Sequence, residues 1–119
     1  MTTTSPYFDV RTVNDVHVIE FARNDVTDPA YIERLGDAIY HYLNPIDNPR
    51  VVIDFKNVRY LSSTTLGMLV ALHKVMKKQQ GRLCMANVAD DLYRAFKLTK
   101  LHKVFKAYDN TDDAVKSLQ

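Results

Sequence analysis

The chain has one cysteine, three widely spaced glycines and no long apolar run. Each shortage excludes something. A lone Cys84 permits no intrachain disulfide, which agrees with a reducing compartment. Gly36, Gly67 and Gly81 stand too far apart to line a phosphate-cradling loop. Such loops need clustered glycines so that backbone N–H groups can approach the ligand. A P-loop and a dinucleotide fingerprint are therefore absent. No stretch approaches the roughly 18 apolar residues that cross a bilayer. Residues 1–6 are polar and lack the apolar heart of a signal peptide. A cytoplasmic protein without a transmembrane segment is expected.

Recognisable catalytic sets are missing too. There is no Gly-x-Ser-x-Gly elbow. His17, His41, His73 and His102 show no paired metal-ligand spacing. Cys84 falls in an expected strand, where cysteine usually serves as a small buried filler. No motif supplies a base to activate its thiolate. The expectation is a binding protein, not an enzyme, with no metal and no cofactor. Charge of one sign is also scarce: 16 basic and 14 acidic residues give a formal net charge of +2. The basic residues read as dispersed apart from Lys77-Lys78 and a loose set, Lys97, Lys100, Lys103 and Lys106. This reads as a solvated mixed-charge surface and not as a nucleic-acid-binding face.

What is present is an ordinary globular domain. Its 119 residues are 46% hydrophobic and 25% charged, within the range of a single folded unit. A chain of this size removes roughly two-thirds of its unfolded surface from water. Residues 1–6 read as a flexible start and 7–119 as the domain. Residues 7–13 and 16–22 read as two strands joined at Asn14-Asp15, residue types that tolerate positive φ. Asp28 and Pro29 announce a helix whose Ile32, Leu35, Ile39, Tyr42 and Leu43 share one face. Residues 51–55 are an unbroken apolar run ending in Asp54 and Phe55, which suits a central strand covered on both faces. A second helix should run to about Lys78, with Gly81 as its C-terminal glycine. A strand over 83–88, a helix over 90–98, a strand over 104–108 and a terminal helix capped by Asn110 complete the series. The order is β-β-α-β-α-β-α-β-α, an α/β fold. Its later strands should be parallel and joined by right-handed crossovers, with about four helices on a mixed, mostly parallel sheet.

One segment stands apart: Tyr60-Leu61-Ser62-Ser63-Thr64-Thr65-Leu66-Gly67. Four hydroxyls in a row occupy the hand-over from strand to helix. Two readings of them stay open. Serine and threonine cap helix starts. A phosphoryl group there would also meet free N–H groups and the positive end of the helix dipole. Gly67, Ala71, Lys74 and Lys78 follow at spacings of four and three, so they share one stripe. Its slim first half suits either packing against a neighbouring helix of the same chain or the approach of a partner.

This segment resembles the signature of the STAS domain family, the fold of bacterial anti-sigma factor antagonists. That signature is an apolar pair followed by Asp-Ser-[Ser/Thr]-Gly-Leu-Gly. Ser63 matches its first Ser, the family's usual phosphoacceptor, and Thr64 matches the hydroxyl residue beside it. Leu66 and Gly67 match its end. Ser62 stands in place of the usual Asp, and Thr65 in place of the usual Gly. The resemblance extends over nearly the whole chain, through residues 52–58, Asn87-Val88, and 98–105. Asp25 loosely matches a further acidic position near the family's site.

The resemblance implies a phosphorylation-controlled protein-binding switch. The unphosphorylated chain would bind an anti-sigma factor that is also a serine/threonine kinase, and so release a sigma factor. Phosphorylation at Ser63 or Thr64, with Thr65 third in order, would end the complex, and a phosphatase would reset it. ATP and magnesium would belong to the kinase. The implied partner-binding residues are Asp25, Ser62, Ser63, Thr64, Thr65, Gly67, Ala71 and Lys74. The alternative within the family is a subunit that regulates a transporter ATPase without phosphorylation.

Overall fold

The computed structural model describes residues 2–119, with Thr2–Thr4 described by backbone alone. Three strands open the chain: β1 (Thr2–Thr4), β2 (Phe8–Val13) and β3 (Val16–Phe21). Asn14 and Asp15 join the last two with φ of 50° and 66°, the left-handed conformation that a tight two-residue hairpin turn requires. β1 forms within residues 1–6, the stretch expected as a flexible start, of which Met1 lies outside the described residues. The cause is non-local. The free edge of β2 offers unpaired backbone groups, and Thr2–Thr4 satisfies them in antiparallel register, Thr2 opposite Arg11.

Next come β4 (Asp25–Val26), α1 (Pro29–Leu43), β5 (Arg50–Asp54), β6 (Tyr60–Leu61) and α2 (Ser63–Lys78). The chain continues through β7 (Arg82–Ala86), α3 (Asp90–Leu98), a 3₁₀ turn (Leu101–Lys103), β8 (Ala107–Tyr108) and α4 (Thr111–Ser117). The main sheet has the order β1-β2-β3-β5-β7-β8. The β1-β2 and β2-β3 pairs are antiparallel, and β3-β5, β5-β7 and β7-β8 are parallel. β5 is central, as expected, and residues 51–55 are all buried. Its alternation divides the core in two. Val51 and Ile53 join the large cluster under α1, α2 and α3. Val52 joins Val18, Cys84 and Ala86 in a smaller cluster under Ala114, Val115 and Leu118 of α4. This two-sided cover is why the strand reads as a continuous apolar run.

Two further expectations need correction. Residues 104–108 do not form one strand. Lys100 takes φ of 61°, and the Phe105 N–H donates to the Leu101 carbonyl at 2.8 Å. Phe105 is thereby swung into the core, against Phe96 and His73, and only Ala107–Tyr108 remain to pair with β7. Gly81 is not the left-handed residue that ends α2. Gln80 takes that conformation, with φ of 58°, while the Gly81 N–H donates to the Met76 carbonyl at 2.7 Å. Glycine serves at 81 because a Cβ there would lie 2.7 Å from the Pro49 carbonyl oxygen.

Candidate functional site

The site is built where a second, two-stranded sheet meets the start of α2. β4 and β6 pair in parallel, Asp25 opposite Tyr60 and Val26 opposite Leu61. The Arg59 N–H donates to the Asn24 carbonyl at 2.7 Å, which fixes the approach. Strands of two residues are too short to show any periodicity, so sequence reasoning missed both.

The four hydroxyls then separate into two pairs. Ser62 is the N-cap of α2. Its hydroxyl accepts from the Thr65 N–H at 3.4 Å, and the Thr65 hydroxyl accepts from the Ser62 N–H at 3.2 Å, a reciprocal capping box. The Thr65 hydroxyl also donates to the Val26 carbonyl, tying α2 to β4. Thr65 is 0% exposed. Thr65 was expected among the partner-binding residues and as a third phosphoacceptor; the structure places its side chain in the core with its hydroxyl bonded to Val26 and Ser62. Ser62 is half-buried and committed to the cap. Ser63 and Thr64, the first two residues of α2, are exposed. Capping thus takes up two of the hydroxyls and leaves the other two exposed.

The start of α2 itself favours an anion. α2 carries no acidic residue in its first turn, so nothing offsets the positive end of its dipole. Lys56 and Arg59 are exposed on the segment leading in. Asp25 is exposed as well and accepts from the Thr27 hydroxyl at 2.5 Å. It lines a polar cleft of about 820 Å³ whose walls carry Asp9, Glu20 and Asp28 beside it, against Arg23, Lys56 and Arg59.

A second depression, of about 670 Å³, lies between α1 and α2. Ile32, Gly36 and Tyr40 line it from α1, and Thr64, Gly67 and Ala71 from α2. Asp25 and Lys74 do not line it, although Lys74 is exposed. The α1 wall was not foreseen. Its signal was the spacing of four that puts Ile32, Gly36 and Tyr40 in one row.

The purpose of the slim stripe is now decidable. A Cβ on Gly36 would lie 2.9 Å from Met68 Cγ, whereas a Cβ on Gly67 would meet nothing within 4 Å. Gly36 is the residue that lets the helices approach, and Gly67 faces open space. Gly67→Ala is therefore expected to stabilise the domain by about 0.5–1 kcal/mol, the helix-propensity difference. Gly36→Ala should gain less, because Met68 must move. Thermal melts of the two variants check this. A lower melting temperature for Gly67→Ala would mean that the helices pack through Gly67.

Among the described residues, no group of three or more His, Cys, Asp or Glu could hold a metal ion. Cys84 is buried, its thiol pushed up by burial. Among the described residues, no helix is long and apolar enough to cross a membrane.

Comparison with known proteins agrees with this architecture. The chain is 25% identical over 69 residues to an anti-sigma F factor antagonist of Paenibacillus polymyxa, covering 58% of this chain and 59% of that protein. It is 40% identical over 52 residues to an anti-sigma-B factor antagonist of Bacillus subtilis (strain 168), covering 44% and 48%. The matches thus span about half the length of these curated relatives. The crystal structure of an anti-sigma factor antagonist from Mycobacterium paratuberculosis superposes with a TM-score of 0.79 at 25% identity, covering 98% of each chain. The STAS domain family model matches residues 9–114, and the chain belongs to the STAS domain family.

Proposed function

We propose that this chain is an anti-sigma factor antagonist, a binding protein of the cytoplasm and not an enzyme. It docks through the N-terminal face of α2 onto an anti-sigma factor that is also a serine/threonine kinase, and phosphorylation of Ser63, or of Thr64 after it, ends the complex. A phosphatase restores the binding form.

The observation that carries this reading is the division of the four hydroxyls. Two are consumed in capping α2 and tying it to β4, and two are exposed at the head of an acid-free helix, beside an apolar groove. A transferred phosphoryl group would meet the free N–H groups and dipole of the helix start. The same groove offers a partner a slim, accessible helix face at Gly67 and Ala71. The names of the relatives support the choice of partner class.

The test is reconstitution with a kinase-type anti-sigma factor from the same genome. A complex should form without ATP and dissociate after Mg·ATP is added, with phosphate mapped to Ser63 or Thr64. Phosphate found only among residues 2–5, or no complex at all, refutes the proposal.

A further inference from the structure

One stretch of the chain carries cations and no anions. Residues 92–108 hold Arg94, Lys97, Lys100, Lys103 and Lys106 and no acidic residue. In α3 the core side is taken by Leu92 and Phe96, which leaves Arg94, Lys97 and Leu98 outside. The left-handed Lys100 and the inward swing of Phe105 then turn the chain so that Val104 points out. Leu98 is 80% exposed and Val104 42%. Leu98 is the most exposed large hydrophobic residue among those described, and it stands among lysines.

α2 extends this surface. The His73 ring lies edge-on to Phe105, with centroids 5.5 Å apart. Burial and the nearby Lys77 ammonium hold the His73 imidazole below its ordinary value, so Lys77 adjoins the same turn. The imbalance covers half the molecule: residues 55–108 contain eleven of the sixteen cations and two of the fourteen anions. α2 and α3 both return from the ends of parallel strands, so their C-termini lie at the end of the sheet where those strands begin. Ser63 is at the opposite end of α2, about 21 Å from Lys77 along the helix axis.

We propose that the basic turn from α3 to β8, with Leu98 and Val104 at its tip, docks onto an anionic membrane surface. Attachment of an unlipidated surface to a bilayer strengthens with the apolar area it inserts and with its attraction to anionic lipids, and both sources coincide here. Each lysine near an anionic leaflet contributes about five-fold in partitioning, and insertion of one leucine contributes about ten-fold. A nucleic acid would use the cations but gain nothing from an exposed leucine. The one ring beside the patch on α3, Tyr93, already carries Lys97 at 5.2 Å from its centroid.

This surface is remote from the hydroxyls of α2, so the inference does not depend on the proposed partner. The test is co-sedimentation of the full chain with phosphatidylcholine vesicles, with and without phosphatidylglycerol. Binding is expected only with phosphatidylglycerol, and it should weaken as salt rises. Leu98→Ser should lower it about ten-fold, and a Lys97→Glu, Lys100→Glu, Lys103→Glu triple variant should abolish it. Lys116→Glu, on α4, and Ser63→Glu should leave it unchanged. Circular dichroism verifies that each variant is folded. Absence of binding, equal binding by Leu98→Ser, or tighter binding to duplex DNA than to the vesicles overturns the proposal.

Discussion

Replacing Ser63 by glutamate is expected to leave the domain folded while weakening partner binding by about 100-fold or more. The two effects differ because the same charge meets two environments. On the free protein, residue 63 is exposed in the first turn of α2. The helix dipole there favours a negative charge by roughly 0.3–1 kcal/mol, so the melting temperature should hold or rise slightly. In the complex, the charge would be buried without a partner, at a cost on the order of several kcal/mol. Each 1.4 kcal/mol is about a factor of ten in affinity. A phosphoserine carries about −1.5 to −2 charges and should act more strongly still. Ser63→Ala should bind like the parent and resist release by the kinase. Thr65→Glu supplies the contrast: it forces a carboxylate into a position that is 0% exposed and should unfold the domain. Thermal melts and binding titrations on the three variants separate these outcomes. If Ser63→Glu binds as tightly as the parent, no electrostatic switch operates at this position.

The contrast between Ser63 and Thr65 also marks where the sequence stops being legible. Features with a local cause could be read. The Asn14-Asp15 turn, the Asp28 cap on Pro29 and the apolar face of α1 are all written within a few residues of where they act. The central strand could be read because burial on both faces demands an unbroken apolar run. The four hydroxyls are chemically near-equivalent in one dimension. What distinguishes them is the carbonyl of Val26, 39 residues away, which claims Thr65. The β4-β6 pair and the pairing of Thr2–Thr4 on β2 have the same kind of cause. Each is a short segment whose conformation is set by a distant partner and not by its own pattern.

Asp54 is the strongest instance of such a distant claim, and its removal is expected to cost the domain about 3 kcal/mol. In sequence it is merely the polar end of a strand. In the fold it is 1% exposed, and it ties three segments together. One carboxylate oxygen accepts from the Lys56 N–H and from the Asn87 side chain, both at 3.0 Å. The other accepts from the Thr111 hydroxyl at 3.2 Å. Lys56 Nζ lies 4.0 Å from that second oxygen and 3.5 Å from Glu20, so the buried charge is balanced. Asn87 ends β7 with φ of 58°, and Thr111 begins α4. The carboxylate therefore fixes where β7 stops and how α4 settles over the small cluster. Asp54→Ala would leave three donors short of an acceptor, and hydrogen bonds to a charged group are worth about 1.5–3 kcal/mol each. Asn87 and Thr111, both half-buried, can turn to water instead, which brings the total below that sum, to about 3 kcal/mol. Against a typical stability of about 5–15 kcal/mol, this is a large fraction. Asp54→Asn retains one acceptor oxygen for Lys56 and Asn87, and Thr111 can rotate to accept from the new amide. It should cost about 1 kcal/mol. Urea titrations of both variants decide the matter. If Asp54→Asn proves as damaging as Asp54→Ala, the contribution comes from the negative charge and not from the hydrogen-bond geometry.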